Sequence, residues 1–237
     1  MNVKDSVVLI TGANRGLGLA LAQAVLAAGA KKVYGGARNP DSVQLAGVVP
    51  VKLDVTNAAD VAAAASAHPD VTIVINNAGL ELGTAVMAAD AEKAVRAELE
   101  TNFFGPMALG HAFAPVLAAN GGGAIVNILS ALSWVSMPQH GTYSISKSAA
   151  WSLTNGMRNE LAGQKTQVMG VHVGYMDTGM VEHIDQPKVN PADVAKAIVD
   201  ALEAGKDELL ADGTAQHVKA HLSAERGIYL DLGAPPA

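Results

Sequence analysis

Short apolar runs alternate with longer segments of helical spacing along almost the whole chain. Seven of these runs have the composition of buried strands, and they are residues 6–10, 31–37, 48–54, 71–75, 124–129, 167–173 and 207–211. This alternation predicts right-handed βαβ units, in which a parallel sheet carries helices on both faces. Ligands bind beyond the carboxyl ends of the strands in such folds, so residues at those ends are the first candidates for a functional site.

The segments of helical spacing lie between these runs. Asn57 is placed to cap the second helix, and Pro106 or Pro115 can bend the third. No linker, repeat or low-complexity block divides the 237 residues. We therefore expect the α/β class: one Rossmann-type, doubly wound domain over residues 1–237, with a mostly parallel seven-stranded sheet and a mobile tail at about 233–237. The predicted helices are residues 16–29, 57–68, 90–118, 141–161, 191–205 and 213–225.

The composition excludes several classes of protein. There is no cysteine, which excludes disulfides, thiolate catalysis and cysteine-based metal sites. The net charge of −6 gives no basic surface for nucleic acid. The chain has no apolar run of about 18 residues and no secretory signal at its start, so we expect a cytoplasmic protein without a membrane partner.

Two histidines have a spacing that occurs in metal sites. His217 and His221 stand four residues apart on the last predicted helix. The glutamate of a His-Glu-x-x-His pattern is missing between them, and no cysteine is available. We therefore expect no metal site.

The first predicted strand runs into a glycine-rich turn, TGANRGLG, at residues 11–18. Glycines allow the backbone to approach a diphosphate, and the following helix supplies N–H donors and the positive end of its dipole. Such a turn alone can be merely tight, but the strand–turn–helix context favours a dinucleotide site. The candidate contacts in this turn are Gly12, Asn14, Arg15, Gly16, Leu17 and Gly18.

The end of the second strand bears on the choice of dinucleotide. Sites for NAD place an acidic residue there, which binds the ribose 2′-hydroxyl. This strand ends at Ala37 and Arg38, with no acidic residue before Asp41. Arg38 can bind a 2′-phosphate through its guanidinium, with Arg15 on the other side. Both can equally be solvated surface arginines, but their joint placement favours NADP(H).

Further candidates follow the third and fourth strands. Asp54 can contact an adenine amino group or cap a helix, and both roles stay open. The sequence NNAG at residues 76–79 is either a polar turn or a loop that passes close to a ribose, with Asn76 bracing the neighbouring strand ends. The candidate cofactor contacts here are Asp54, Val55, Asn76, Ala78 and Gly79.

The fifth strand and the helix after it carry residues suited to acid–base chemistry. Tyr143 and Lys147 are four residues apart, so both can face one cleft, and Ser130 follows the strand. A free tyrosine has a pKa of about 10, and a neighbouring Lys147 cation is expected to lower it. A Tyr-x-x-x-Lys pair is by itself usually an ordinary surface pair, so the other motifs decide for a catalytic role.

Asn102 stands inside the long predicted helix, in the sequence ETNFFG. Asparagine is a poor residue for a helix interior. Either it belongs to a solvated polar face, or it marks a local distortion that fixes a water beside Lys147.

Together these motifs resemble those of the short-chain dehydrogenase/reductase family. TGANRGLG resembles the family's T-G-x-x-x-G-x-G, and NNAG matches a second signature. Asn102, Ser130, Tyr143 and Lys147 fit the catalytic tetrad of the family in order and approximate spacing. The resemblance covers residues from about 7 to 180.

The resemblance implies a nicotinamide cofactor and reversible ketone/alcohol redox chemistry. It implies that Tyr143 is the general acid/base and that Lys147 binds the nicotinamide ribose and lowers the tyrosine pKa. It also implies that Ser130 orients the substrate and that Asn102 holds a relay water. A homodimer or homotetramer that pairs the long helices containing Asn102 and Tyr143 is a further implication.

Two positions depart from the family pattern. Leu129 replaces the first of two serines, and Val173 replaces the proline of P-G-x-x-x-T. Gly174 and Thr178 remain, and they would hold the carboxamide together with the backbone of Met176. Without the fixed φ of proline, we expect a less rigid entry to this loop.

We therefore expect an NADPH-dependent carbonyl reductase or alcohol dehydrogenase whose substrate is a small-molecule ketone, aldehyde or alcohol. The alternative is a non-catalytic NADP(H)-binding sensor or scaffold, which the loss of Tyr143, Lys147 or Ser130 would have favoured. The short segment 179–190 predicts an open cleft for bulky or aromatic carbonyl compounds. Its candidate apolar border consists of Leu80, Leu132, Trp134, Val135, Tyr175, Met176 and Met180.

Overall fold

The computed structural model describes residues 1–179 and 185–232, and in this part of the chain seven strands form one sheet. The strands are β1 (Val7–Thr11), β2 (Lys32–Ala37), β3 (Val48–Lys52), β4 (Ile73–Asn76), β5 (Gly123–Ile128), β6 (Thr166–His172) and β7 (Glu208–Leu210). Their order is β3-β2-β1-β4-β5-β6-β7, and every neighbouring pair is parallel. The predicted doubly wound α/β class is confirmed, with a wholly parallel sheet. Met180 and the predicted tail at 233–237 lie outside the described residues.

Seven α-helices connect and cover the strands in the described part of the chain. They are α1 (Gly16–Ala27), α2 (Ala58–Ala67), α3 (Ala91–Leu99), α4 (Gly105–Ala119), α5 (Gly141–Leu161), α6 (Pro191–Glu203) and α7 (Gly213–Ala220). The predicted cap of α2 is confirmed, because Asn57 Oδ1 accepts from the backbone N–H groups of Ala59 and Asp60. α7 ends at Ala220 rather than at residue 225. Among the described residues, no helix is both long and apolar enough to cross a membrane.

The long helix predicted at 90–118 is interrupted. A π-helical segment, Glu100–Phe104, joins α3 to α4, and Asn102 lies inside it. Such segments occur where a helix is locally widened, frequently at functional sites. The distortion that Asn102 predicts is therefore present, and the side chain is buried rather than part of a solvated face.

Alternating side chains of β1 pack against two helical layers. Val8 and Ile10 belong to a core cluster that also contains Leu21 of α1 and Ile198 of α6. Leu9 belongs to a second cluster on the other face, which contains residues of α2 and α4. Successive strand residues point to opposite faces, so burial of all of them requires helices on both sides.

A row of buried polar side chains ties α5 to the sheet. Asn76 and Asn127 stand opposite each other on β4 and β5, and Asn76 Nδ2 donates to Asn127 Oδ1 over 2.8 Å. Asn127 Nδ2 then donates to Thr154 Oγ1 of α5 over 2.9 Å. The predicted bracing of the strand ends by Asn76 is thus present, and it extends to a helix.

The helices that the family resemblance pairs in an oligomer have mixed surfaces. Leu109 of α4 is fully buried and belongs to the core, whereas Phe104 and Ile145 are 41% and 43% exposed. Exposed apolar side chains of this kind are compatible with a contact between copies, but they also occur singly on monomers. The homodimer or homotetramer stays a prediction.

Gly156 lies within α5, and a Cβ at this position meets no atom within 4 Å. We expect Gly156→Ala to raise the free energy of unfolding by about 0.5–1 kcal/mol, because alanine loses less backbone entropy in a helix. Urea unfolding of the purified protein measures this. Gly123→Ala is the control of opposite sign, since its Cβ would overlap the carbonyl oxygen of Thr72. Destabilisation by Gly156→Ala would contradict the open space beside α5.

His172 ends β6 with a fully buried ring whose Nδ1 lies 3.0 Å from the carbonyl oxygen of Ser130, so Nδ1 carries a proton and donates. Burial lowers the pKa of His172 from 6.5 to about 4. Between pH 6.5 and pH 4 the unfolded chain binds the proton more readily than the folded chain. The free energy of unfolding should therefore decrease as the pH is lowered through this range, by about 3 kcal/mol from this group. His172→Asn keeps a hydrogen-bond donor but does not titrate. Urea unfolding between pH 7 and pH 4 should therefore show a smaller decrease in the free energy of unfolding for this variant than for the wild type. Parallel pH profiles for the two proteins would rule this out.

Candidate active site

A cavity of about 1070 Å³ lies along the carboxyl ends of the strands. It is lined by residues that follow β1, β2, β3, β4, β5 and β6, together with the start of α5. The sheet topology therefore brings together loops that are far apart in the sequence. The predicted residues that line the cavity are Gly12, Asn14, Arg15, Gly16, Leu17, Arg38, Asp54, Val55, Ala78, Gly79, Ser130, Tyr143, Lys147, Gly174, Met176 and Thr178.

Three predicted site residues do not line the cavity. The side chain of Asn76 is buried in its hydrogen bond with Asn127. Gly18 packs under the turn, where a Cβ would overlap the carbonyl oxygen of Gly12. Asn102 holds the backbone of Leu80, accepting from its N–H and donating to its carbonyl, both over 2.8 Å. These residues shape the cavity from behind and do not face it.

The glycine turn leaves the start of α1 open towards the cavity. Gly12 and Gly16 have φ values of 67° and 53°, in the left-handed region that favours glycine. α1 has no side-chain cap and no acidic residue in its first turn. Its first backbone N–H groups therefore remain available to an anionic group, as in other helix N-termini that bind phosphate.

Polar and cationic side chains surround the end of β2. Arg15 and Arg38 are both exposed and line the cavity, and neither takes part in an ion pair among the described residues. Asn39 and Ser42 line the same region, although sequence reasoning did not select them. β2 ends at Ala37, so no carboxylate occupies this position. The arrangement suits a phosphate group.

Asp54 lies beside this region and does not cap α2. Its Oδ1 accepts from the backbone N–H and the hydroxyl of Thr56, over 3.0 and 2.8 Å, while Asn57 provides the cap. Of the two roles considered for Asp54, the helix cap is therefore excluded. The contact to an adenine amino group stays a prediction.

Tyr143, Lys147 and Ser130 line the other part of the cavity. Lys147 Nζ donates to the carbonyl oxygen of Ile128 over 2.7 Å and lies 5.6 Å from the centroid of the Tyr143 ring. Ser130 Oγ accepts from the backbone N–H of Leu132 over 3.1 Å, which holds its side chain at the end of β5. A hydroxyl, a phenol and an ammonium group therefore converge on one space.

The electrostatics of this group differ from the expectation that Lys147 lowers the pKa of Tyr143. Burial raises the pKa of Tyr143 well above its ordinary value of 10, the charges of Glu81 and Glu98 raise it further, and only Ser130 acts in the opposite direction. Burial also lowers the pKa of Lys147 to about 8. Loss of solvation is the largest cause in both cases, and it favours the neutral form of each group. The phenol therefore keeps its proton at neutral pH.

Glu81 and His140 form a pair at this end that sequence reasoning missed. Glu81 Oε1 contacts His140 Nδ1, and both side chains are about nine-tenths buried, with exposures of 12% and 8%. Beside them, Glu98 Oε1 accepts from the backbone N–H of Leu82 over 2.8 Å. Glu81 and His140 are 59 positions apart in the chain, and neither belongs to a motif that would identify it in the sequence.

The loop after β6 is restrained by Asp212, which also escaped sequence reasoning. Asp212 Oδ2 accepts from the backbone N–H of Gly174 over 2.6 Å, and Oδ1 accepts from Ala215 over 2.7 Å as the cap of α7. The expectation of a less rigid entry to this loop did not take this carboxylate into account, and it stays a prediction. The one signal for Asp212 in the sequence is its position directly before a predicted helix, where a capping residue is expected.

Two described residues of the predicted apolar border of the cleft, Trp134 and Val135, do not line the cavity. Leu80, Leu132, Tyr175 and Met176 line the cavity. Trp134 instead stacks on His172, with ring centroids 3.8 Å apart. Val135 is buried in a cluster with residues of α7.

The two histidines with metal-like spacing lie on the surface of the last helix. His221 Nδ1 is 2.7 Å from the carbonyl oxygen of His217, and the two rings are 4.2 Å apart. In residues 1–179 and 185–232, no three His, Asp or Glu side chains are placed to hold a metal ion.

Comparisons with known proteins agree with this geometry. A family model described as short chain dehydrogenase matches residues 6–189. The chain is 30% identical over 248 aligned residues to dehydrogenase/reductase SDR family member 7B of Danio rerio, covering 90% of this chain and 79% of that protein. It is 31% identical over 223 residues to ketoacyl reductase HetN of Nostoc sp., covering 86% of this chain and 77% of that protein.

A solved structure gives the same result. The crystal structure of a short chain dehydrogenase from Burkholderia cenocepacia J2315 in complex with NADP matches this fold with a TM-score of 0.95. The two sequences are 41% identical, and the match covers 99% of this chain and 100% of that chain. The family model alone covers well over half of the sequence. The chain therefore belongs to the short-chain dehydrogenase family.

Proposed function

We propose that this protein is an NADP(H)-dependent oxidoreductase that interconverts a ketone or aldehyde with the corresponding alcohol. One observation carries the proposal: Tyr143, Ser130 and Lys147 line the same cavity as the glycine turn with Arg15 and the end of β2 with Arg38. A proton-handling group and a site for a phosphorylated cofactor thus share one cavity. That combination suits redox chemistry at a carbonyl.

The residues along the rest of the cavity fit a nicotinamide dinucleotide. The left-handed Gly12 and Gly16 and the uncapped start of α1 suit a diphosphate. When bound, the nicotinamide supplies or accepts the hydride. Gly174, Met176 and Thr178 line the cavity beyond β6, where they would hold the carboxamide.

The end of β2 supports NADP(H) over NAD(H). A guanidinium on each side, Arg15 and Arg38, would neutralise a 2′-phosphate, whereas the carboxylate that binds a free 2′-hydroxyl is missing after Ala37. The similar protein of B. cenocepacia was crystallised with NADP, which agrees with this preference.

The site residues favour proton donation to a carbonyl oxygen. Burial and the charges of Glu81 and Glu98 keep Tyr143 protonated, so it is ready to act as a general acid. Ser130 would hold the same carbonyl oxygen, and Lys147, with a pKa of about 8, remains mostly cationic near neutral pH. These properties support the reductive direction of the reaction.

Tyr143→Phe keeps the ring but removes the proton donor. We expect kcat with NADPH and a ketone to fall at least a hundredfold, with little change in the Kd for NADPH. Steady-state kinetics and fluorescence titration of NADPH measure the two quantities. Tyr175→Phe is the matched control, because it makes the same change at another tyrosine of the cavity. Near-normal turnover by Tyr143→Phe would refute its role, whereas NADPH binding without turnover of any ketone or aldehyde would favour a sensor.

Arg38→Ala removes one charged contact to the 2′-phosphate. We expect its KM for NADPH to rise about ten- to a hundredfold, while its KM for NADH stays nearly constant. Ala37→Asp should shift the preference towards NADH, because a carboxylate repels the 2′-phosphate. The measurement is kcat/KM for both cofactors. Arg96→Ala is the control, since Arg96 lies on α3 in an exposed pair with Glu92. An unchanged NADPH/NADH ratio in Arg38→Ala would overturn the assignment.

A further inference from the structure

Glu81 is a carboxylate at the catalytic end of the cavity, and the proposed reaction gives it no role in binding the substrate. It lines the cavity together with Tyr143 and Tyr175, and its charge raises the pKa of both tyrosines. The other carboxylates among the described lining residues, Asp54 and Glu100, have no such effect on either tyrosine. Among the described carboxylates that line the cavity, Glu81 is therefore the one whose charge acts on Tyr143 and Tyr175.

The backbone on both sides of Glu81 is fixed by buried side chains. Asn102 binds the N–H and the carbonyl of Leu80, and Glu98 binds the N–H of Leu82. Asn102 and Glu98 are both buried. A side chain held in this way is pre-organised, since it does not need to be ordered when a ligand binds.

Only one of the two carboxylate oxygens of Glu81 is satisfied within the protein. Oε1 contacts His140 Nδ1, and Oε2 forms no hydrogen bond with any residue in the described part of the chain. Lys147 does not provide the missing partner, because its Nζ donates to Ile128 and forms no salt bridge among the described residues. Oε2 is not among the fully buried side-chain oxygens without a partner, so it is accessible from the cavity, where a ligand can bind it.

Apolar side chains line the same cavity as Glu81 and restrict the ligand that could bind there. Leu80, Leu132, Met137 and Met176 line the cavity with it, and all are apolar. Such a wall accepts an alkyl or aryl group, while the carboxylate accepts a hydrogen-bond donor and favours a cation. An anionic substrate would meet the same carboxylate as a repulsive charge.

We infer that Glu81 is a substrate-binding residue and that the carbonyl substrates of this protein carry a protonated amine. This inference rests on the proposed function. The ammonium group donates to Oε2 of Glu81 while the carbonyl oxygen faces Tyr143 and Ser130. The apolar wall holds the remainder of the substrate.

Three aryl ketones of one skeleton test this inference at pH 7 with saturating NADPH. β-Dimethylaminopropiophenone carries the cation, γ-methylvalerophenone replaces its nitrogen by carbon, and β-benzoylpropionate carries an anion at the same distance. We expect kcat/KM for the amino ketone to exceed that of the alkyl ketone about tenfold or more, and the anion to be the poorest substrate. A β-hydroxy ketone in the same series shows whether a neutral hydrogen-bond donor is sufficient or whether the substrate must carry a positive charge.

Glu81→Gln removes the charge but keeps the shape and an acceptor for His140. It should lower kcat/KM for the amino ketone about ten- to a hundredfold, mostly through KM, and change the alkyl ketone less than about threefold. Glu100→Gln, which neutralises another lining carboxylate, should leave the preference unchanged. Calorimetric titration of the amino ketone into wild type and both variants measures binding without turnover.

Each outcome separates the inference from the function on which it rests. Equal kcat/KM values for the amino and alkyl ketones in the wild type would overturn the inference and leave the carbonyl reductase intact. An equal loss of kcat for all three ketones in Glu81→Gln would also overturn it, since it would make Glu81 a positioning residue for Tyr143. Absence of turnover with every ketone and aldehyde would instead reject the proposed function.

Discussion

The hydrogen bonds that fix α5 against β5 determine where every group proposed to act on a carbonyl lies. Thr154 accepts from Asn127 in the middle of the sheet, and Lys147 donates to the last residue of β5. Thr154 and Lys147 are two helical turns apart, so they lie on the same side of α5. Tyr143, one turn before Lys147, therefore reaches the end of β5 and the nearby Ser130. The alignment of the site follows from the packing of one helix on one strand.

The same packing has an electrostatic consequence. Because α5 is pressed against the sheet, Tyr143 and Lys147 lose solvent, and burial favours the neutral form of each. For a phenol the neutral form is the acid, which can donate a proton, while for an amine it is the base. Glu81 opposes the change at Lys147 and reinforces it at Tyr143. Burial is the larger cause at both groups, and Glu81 adds to its effect on the phenol while partly offsetting its effect on the ammonium.

The sequence predicts most of the fold because its signals are local. Strand residues buried on both faces form short apolar runs, and helix starts carry their own signals, such as the cap Asn57 before α2 and Pro191 in the first turn of α6. Asn102 also indicates the π-helical segment, because asparagine is unfavourable inside a regular helix and so predicts a local distortion. The Glu81–His140 pair could not be predicted in this way. It forms only because the sheet places the loop after β4 against the start of α5, and neither residue belongs to a motif.

The loop after β6 explains why comparison of motifs alone gives an incomplete account of the site. A proline at position 173 would restrict the backbone through its own ring, a constraint visible in the sequence. Val173 lacks that local constraint, and the backbone N–H of Gly174 donates instead to Asp212, 38 positions further along the chain. Each oxygen of the Asp212 carboxylate accepts one backbone N–H, so the loop after β6 and the start of α7 are fixed together. A Cβ on Gly174 would crowd Thr214 and Asp212, so the loop is also closely packed. The loop after β6 is thus held by a long-range hydrogen bond whose partner lies outside the family motif, so the folded chain is needed to find it.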